Sequence, residues 1–231
     1  LALIEQLREY DTPAIAESLS LLGCKDNHKC TMGIDVKLMT HFLHPIVGVA
    51  VTLVVNTSTP GLETDLEGLM QAEEKIRASK VPTIVVMKSV GSRMTHECVT
   101  GDYMCAMFQA GGCVGLVADG GIRDLEAINH LGFTVYGSGT MSDHASVNYK
   151  LANEPITVSD VTVDHGDLLH ADINGVHLIP AEYHNEIVEA CRVTSELETG
   201  GRIIARRTDL SAREKWTMVK ALVEEHKKNT G

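Results

Sequence analysis

The chain has 231 residues, 44% of them hydrophobic, and a formal net charge of −11. This length and hydrophobic content allow one sizeable core, so we treat residues 1–231 as a single domain that ends in a helical tail over 208–231. The acidic balance disfavours nucleic acid binding, which needs Lys and Arg against the phosphates. No apolar run approaches the ~20 residues that cross a bilayer, so neither nucleic acid nor membrane is an expected partner.

The cysteines and histidines form no familiar metal motif. The six cysteines include no C-x-x-C pair, which indicates free thiols and a cytoplasmic protein. The eleven histidines include no H-E-x-x-H or similar spacing. We therefore interpret His165, His170 and His177 as solvent-facing or hydrogen-bonded core residues.

The N-terminal part of the chain predicts helices and one strand. Residues 1–10 are amphipathic, Thr12-Pro13 supplies an N-cap and a first turn for a second helix, and Gly23 is suited to end that helix. A valine-rich strand over 45–55 and a loop over 56–63 follow. The helix after this loop has its apolar positions at Leu66, Leu69, Met70 and Ile76.

The centre of the chain alternates predicted strands and helices. Strands are predicted over 82–87, 113–118 and 133–136, and residues 88–100 are expected to form a loop. A helix from Gly101-Asp102 to Gly111-Gly112 and a helix over 124–131 connect them. In the first of these helices, the side chains of Met104, Met107 and Phe108 are expected to face the core. Two successive βαβ units predict a parallel sheet with right-handed crossovers.

The C-terminal part changes character. Residues 156–180 alternate apolar and polar side chains around short turns, which predicts an antiparallel, barrel-like portion. Pro180 is expected to start a helix that carries Ile187, Val188, Cys191 and Leu197. Ser211 and Glu214 have the spacing of a capping box, which predicts the start of a final helix.

The most informative segment is GLVADGGIRD, residues 115–124. A buried strand ends there at a glycine turn, and an Arg-Asp pair precedes the next helix. This is the edge at which parallel α/β sheets bind ligands. An Arg can hold a carboxylate through two parallel hydrogen bonds, and an Asp can bind a hard divalent cation. The pair suggests a site for a small, anionic, metal-chelating substrate.

Each of these residues has a plainer interpretation as well. Asp124 is a metal ligand or a cap of the following helix. Arg123 contacts a substrate carboxylate or a developing enolate, or else forms a surface ion pair. Asp102 orients or deprotonates a metal-bound water, or is an acid favoured by the helix dipole. The amides of Tyr103 and Met104 at this helix start are suited to a substrate carboxylate.

Several stretches together resemble the RraA-like family, which contains 4-hydroxy-4-methyl-2-oxoglutarate / 4-carboxy-4-hydroxy-2-oxoadipate aldolases and the regulator of ribonuclease E activity. Gly101-Asp102 followed after about twenty residues by Arg123-Asp124 is similar to the signature of that family. The segments LREYDTPAIAESLSLLG, HPIVGVAVTLVV and HGDLLHADINGVHLIPAE are similar to further family segments in the same order. The resemblance covers roughly residues 1–205.

The resemblance implies a compact, swivelling-type α/β domain with a barrel-like β centre. It also implies homotrimers, or hexamers of two trimers, with sites between subunits. For the enzyme branch it implies a class II pyruvate aldolase that uses Mg²⁺ or Mn²⁺. Such an enzyme cleaves a 4-hydroxy-2-oxo acid to pyruvate and a second oxo acid, with oxaloacetate decarboxylase side activity.

Carried over by residue, the resemblance makes Asp124 the metal ligand and Arg123 the contact to substrate and enolate. Asp102 positions or activates a metal-bound water, and the amides after Gly101 receive the pyruvyl carboxylate. A glutamate from a neighbouring subunit also contributes in the aldolases, and Glu196 and Glu198 both lie in the corresponding region. The segment 88–100, with His96, Glu97 and Cys98, departs from the family pattern, so the distal half of the substrate stays open.

Two other functions compete with the lyase. One is a non-enzymatic regulator that binds a ribonuclease or a helicase, since one fold can host either role. The other is a methyltransferase, a label that this family has carried. The sequence has no glycine-rich loop for S-adenosylmethionine after its first strand, and we set this function aside.

Overall fold

The computed structural model describes residues 1–57, 63–144 and 146–229. Residues 58–62 of the predicted loop over 56–63, and the last two residues of the predicted tail, lie outside this range. No helix in the described part of the chain is long and apolar enough to cross a membrane. All six cysteines are free, as predicted.

The described residues form seven α-helices and thirteen strands. The helices are α1 (Ala2–Leu7), α2 (Thr12–Leu21), α3 (Glu67–Ala78), α4 (Asp102–Gly111), α5 (Leu125–Leu131), α6 (Ile187–Ala205) and α7 (Ala212–Asn229). The strands are β1 (Lys37–Leu38), β2 (Ile46–Thr57), β3 (Thr83–Gly91), β4 (Cys98–Thr100), β5 (Cys113–Ala118), β6 (Gly121–Ile122), β7 (Thr134–Gly137), β8 (Gly139–Thr140), β9 (Val147–Leu151), β10 (Ile156–Val158), β11 (Val161–Val163), β12 (Leu168–Asp172) and β13 (Gly175–Ile179).

The main sheet has eight strands, seven of them in the order β1-β7-β5-β3-β2-β12-β13. The neighbours β2, β3, β5 and β7 are parallel, and α3, α4 and α5 connect them. The long strand β2 pairs antiparallel with β12 near its start and with β9 near its end. The predicted α/β fold with βαβ units and a barrel-like, partly antiparallel centre is confirmed.

Both faces of this sheet are buried because side chains alternate along each strand. Val85 and Met87 of β3 join a cluster with Leu116 and Phe108, which faces the crossover helices. Ile84 and Val86 join a second cluster that includes residues of β10 to β13. Phe108 is fully buried, and Met104 and Met107 pack against the first cluster, as expected from the helical spacing.

A second, small parallel sheet has the order β4-β6-β8. Its strands follow β3, β5 and β7 in the chain, so each continues from the carboxyl end of a main-sheet strand. The loop predicted over 88–100 is therefore wrong in part, since β3 continues to Gly91 and β4 covers Cys98–Thr100. This small sheet sets the positions of the candidate site residues.

Several helix ends differ from the prediction. Asp11, rather than Thr12, caps α2, because its carboxylate accepts the amide of Ala14 at 2.8 Å. Pro180 precedes only a short 3₁₀ turn, and α6 begins at Ile187. The capping box before α7 is confirmed: the amide of Ser211 donates to Oε2 of Glu214 at 2.8 Å.

Candidate active site

Three chain segments meet at the carboxyl end of the small sheet. They are Gly101-Asp102 after β4, Arg123-Asp124 after β6, and residues 140–142 at the end of β8. The amide of Arg123 donates to the carbonyl of Thr100 at 3.2 Å, and the amide of Met141 donates to the carbonyl of Ile122 at 3.0 Å. These main-chain hydrogen bonds therefore hold the three segments side by side.

Asp124 does not act as a side-chain cap. It occupies the N-cap position of α5 in the left-handed region, with φ 58° and ψ 33°, and its side chain makes no capping hydrogen bond. Instead, Oδ2 lies 3.2 Å from Nε of Arg123, and the carboxylate is 40% exposed. Non-glycine residues adopt this conformation rarely and at some cost. The capping alternative is wrong, and the carboxylate is available for another partner.

Gly101 allows this carboxylate to lie against the main chain. A Cβ atom at position 101 would lie 2.6 Å from Oδ2 of Asp124 and 3.2 Å from Cγ and Nε of Arg123. No real side chain tolerates the first of these distances without a shift. The glycine therefore lets the Arg-Asp pair pack directly on the start of α4.

Asp124 lines two open clefts, one on each side. The arginine cleft, of about 550 Å³, has as its lining residues Ile122, Arg123, Asp124, Leu125, Thr140, Met141 and Ser142. The acidic cleft, of about 480 Å³, is lined by Asp102, Asp124, Glu126, Ala127 and His130. Asp124 thus lines both clefts, whereas Arg123 lines only the first and Asp102 only the second.

The start of α4 differs in one respect from the predicted anion site. Oδ1 of Asp102 accepts the amide of Tyr103 at 2.8 Å, so this amide is engaged and does not face a ligand freely. The Tyr103 side chain itself is 78% exposed. The same hydrogen bond fixes the carboxylate of Asp102 over the helix start.

Buried groups beneath the site are held in their neutral forms. Burial raises the pKa of the Cys98 thiol, and the nearby Arg123 offsets this increase only in part. Burial also raises the pKa of the Cys105 thiol to about 12. A thiol must ionise to act as a nucleophile, so neither cysteine is a candidate for covalent catalysis at neutral pH.

The sequence prediction missed several residues that line the clefts. Thr140 ends the two-residue strand β8, which is too short to be recognised by periodicity, and Met141 and Ser142 follow it. Glu126 and His130 lie four residues apart on α5, and Nδ1 of His130 donates to the carbonyl of Glu126 at 2.7 Å. Neither residue has a same-face helical spacing from Asp124, since they follow it by two and by six positions, so the sequence pattern did not indicate them.

The two glutamates considered for a neighbouring subunit are engaged on α6. Glu196 pairs with Arg192, and Oε2 of Glu198 accepts Nη1 of Arg202 at 3.1 Å. Neither lines the arginine cleft or the acidic cleft. Their contribution to a second subunit's site stays a prediction.

The chain is similar in sequence to several known proteins. Protein DlpA of Legionella pneumophila is 29% identical over 150 residues, which cover 59% of this chain and 24% of DlpA. A Halalkalibacterium halodurans protein, provisionally named 4-hydroxy-4-methyl-2-oxoglutarate aldolase, is 30% identical over 95 residues, 41% of this chain and 45% of that protein. The matches thus span about a quarter to a half of these relatives.

A solved structure supports the fold. Streptomyces coelicolor RraAS2, described as an unusual member of the RNase ES inhibitor RraA protein family, superposes with a TM-score of 0.69 at 22% identity. The match covers 87% of this chain and 97% of that one. The family described as RraA-like (Aldolase/RraA) matches residues 6–178, and the chain therefore belongs to it.

Proposed function

We propose that the chain is a metal-dependent carbon–carbon lyase that cleaves a 4-hydroxy-2-oxo acid to pyruvate and a second oxo acid. Decarboxylation of oxaloacetate would pass through the same pyruvate enolate. The observation that carries the proposal is the exposed Arg123–Asp124 pair, with Nε and Oδ2 3.2 Å apart, beside the cleft that also holds Asp102. Family membership and the provisional name of the Halalkalibacterium relative support it.

The donor set at Asp124 fits a hard divalent cation. Its carboxylate is not used as a cap and is open to both clefts. Over the described ranges, no group of three or more His, Cys, Asp or Glu side chains could hold a metal ion. A single open carboxylate is compatible with Mg²⁺ or Mn²⁺, since Mg²⁺ commonly takes one or two carboxylates and fills its other positions with water and substrate oxygens. Such a cation, held by Asp124, would supply Lewis-acid polarisation of the 2-oxo group.

The side chains around Asp124 supply the remaining chemistry. Arg123 would neutralise the negative charge that develops on the 2-oxo oxygen as the bond between C3 and C4 breaks. Asp102 would hold the water that removes the proton from the 4-hydroxyl group. The bonding electrons pass to the enolate, and the proton returns to C3 to give pyruvate.

The arginine cleft would receive the part of the substrate that Arg123 contacts. Thr140 and Ser142 can offer hydroxyl groups, and Met141 an apolar surface, because all three line this cleft. We also propose that the protein forms a homotrimer or a hexamer, because both clefts are open in the single chain. In that assembly Glu196 or Glu198 would leave its arginine partner on α6 and contact the site of a neighbouring subunit.

A coupled assay tests the proposed reaction. Pyruvate release from 4-hydroxy-4-methyl-2-oxoglutarate and from oxaloacetate is followed with added Mg²⁺ or Mn²⁺ and again after chelation. We expect turnover that requires the cation. Absence of turnover with either cation, combined with capture of a ribonuclease or a helicase by the purified protein, would favour the regulator instead.

A further inference from the structure

Strand β4 contains a bulge directly before the site. Cys98 pairs with Gly121 and Thr100 with Ile122, so Val99 is an extra residue without a partner on β6. Val99 is fully buried. A buried carbonyl outside the ladder needs another donor, because leaving it unpaired is costly. Bulges of this kind often redirect side chains beside active sites.

A tyrosine on the main sheet supplies that donor. The hydroxyl of Tyr149, on β9, donates to the carbonyl of Val99 at 2.8 Å. The same oxygen lies 3.4 Å from Sδ of Met104. Val99 precedes Gly101 by two residues and Met104 follows Asp102 by two, so one hydroxyl contacts both flanks of the Gly101-Asp102 segment.

Tyr149 is itself rigidly held. Its side chain is 4% exposed, and its amide donates to the carbonyl of Asp65 at 2.8 Å. Strand β9 pairs with β2 of the main sheet over five residues. Burial raises the pKa of the Tyr149 hydroxyl, and the nearby Arg123 offsets this increase only in part. The hydroxyl therefore stays protonated and can donate at neutral pH.

We propose that Tyr149 is a positioning residue, whose hydroxyl holds the Val99 bulge so that Asp102 is presented to the acidic cleft. The hydrogen bond links the main sheet to the loop that carries the proposed water-holding carboxylate. Its catalytic consequence rests on the proposed function, whereas its effect on the geometry of residues 99–105 does not.

The chain contains a matched control for this hydrogen bond. Tyr136 is fully buried, and its hydroxyl donates to the carbonyl of Asp172 at 2.7 Å, away from both clefts. Tyr149→Phe and Tyr136→Phe each remove one buried hydroxyl-to-carbonyl hydrogen bond and leave the ring in place. A purely structural role for Tyr149 predicts that the two variants have the same kcat.

The test compares both variants in two measurements. We expect Tyr149→Phe to lower kcat at least ~10-fold with KM nearly unchanged, because small displacements of catalytic groups are costly. We also expect faster amide hydrogen exchange over residues 99–105. Tyr136→Phe should leave both quantities at the wild-type values. Met104→Leu removes only the sulfur contact and should give a smaller increase in the same exchange rates. This variant replaces Tyr149→Phe in the test if Tyr149→Phe does not fold.

The outcomes separate the two proposals. Equal kcat in Tyr149→Phe and Tyr136→Phe would overturn the catalytic part of the positioning role, and wild-type exchange rates over residues 99–105 in Tyr149→Phe would overturn its hold on that segment. If the wild-type protein shows no lyase activity, the proposed function fails, but the exchange rates over 99–105 still decide whether Tyr149 holds the segment of Asp102. Restoration of kcat by 4-aminophenylalanine at position 149, which keeps a donor, would support the role.

Discussion

Two regions of the molecule are rich in ionisable side chains, and they differ in how deeply those side chains are buried and in which partners they contact. On β12 and β13, His170 and His177 face each other across the strand pair and are fully buried. Nδ1 of His170 is 2.9 Å from Oγ1 of Thr12, and Nδ1 of His177 is 2.8 Å from Oγ1 of Thr31. At the candidate site, by contrast, Arg123 and Asp124 are 36% and 40% exposed.

The two aspartates Asp172 and Asp124 make the contrast sharper. Asp172 is 2% exposed, and its carboxylate accepts the amide of Thr12 at 2.9 Å and the amide of Asn174 at 2.7 Å. Asp124 is paired only with its neighbour Arg123 at 3.2 Å among the contacts of the described chain. A buried carboxylate with its hydrogen bonds filled supports the fold, whereas an exposed one held in a rare backbone conformation is available for a ligand.

The largest expected effect separates these aspartates directly. Asp124→Asn should lower metal-dependent turnover at least ~10³-fold and change the free energy of unfolding by less than ~0.5 kcal/mol. Asp172→Asn should do the reverse, with a loss of about 1–3 kcal/mol in stability and little change in turnover. Turnover assays and urea unfolding of both variants check this. A large loss of stability in Asp124→Asn would contradict the contrast.

Arg123→Ala should cost about 2–4 kcal/mol of transition-state stabilisation if the guanidinium faces the enolate. The ratio of kcat/KM between wild type and variant measures this cost. Arg77→Ala, which removes an exposed arginine paired with Glu73 on α3, is the matched control and should leave kcat/KM unchanged. Equal effects of the two substitutions would indicate that Arg123 is an ordinary surface residue.

The buried histidines should make stability depend on pH. Burial, with a smaller contribution from His170, lowers the pKa of His177 to about 4, below its ordinary value of 6.5. Burial also lowers the pKa of His170. Between pH 6.5 and pH 4 the unfolded chain binds a proton at His177 more readily than the folded chain does, so acidification favours unfolding. We expect His177 alone to reduce the free energy of unfolding by about 2 kcal/mol between pH 7 and pH 5.

Urea unfolding at several pH values measures this slope. His177→Asn removes the titrating group and should reduce the slope. An unchanged slope in His177→Asn would show that other groups account for the pH dependence.

Gly101→Ala should have the smallest of these effects. Its Cβ would lie 2.6 Å from Oδ2 of Asp124, the end of a side chain that can move, so the fold should tolerate it. We expect kcat to fall about 10-fold because the Arg-Asp pair is displaced, with little change in stability. Gly139→Ala is the control, since a Cβ there meets nothing within 4 Å. Wild-type activity in Gly101→Ala would show that the close approach is not needed.

Much of the main sheet could be predicted from the sequence because its strands are long apolar runs. The strand over 113–118 and the start of α4 at Asp102 were both predicted at the positions observed. The small sheet could not be predicted, because β6 and β8 have two residues each and give no periodicity. Asp11 was missed as a cap because Thr12-Pro13 matched the expected pattern equally well.

The site was predictable as residue types but not as geometry. The sequence indicated Asp102, Arg123 and Asp124, yet the left-handed conformation of Asp124 and its contact over Gly101 depend on tertiary structure. Tyr149 lies on a strand far along the chain from the segment it contacts. Such long-range hydrogen bonds leave no local pattern in a single sequence.

The most direct test of the central claim is hydrogen exchange at the methyl group of pyruvate in D₂O, followed by NMR. This half-reaction needs enolate formation but no second substrate. The account predicts exchange by the wild-type protein with Mg²⁺ or Mn²⁺, and its loss after chelation and in Asp124→Asn. Exchange that persists undiminished in the chelated protein or in Asp124→Asn would contradict it.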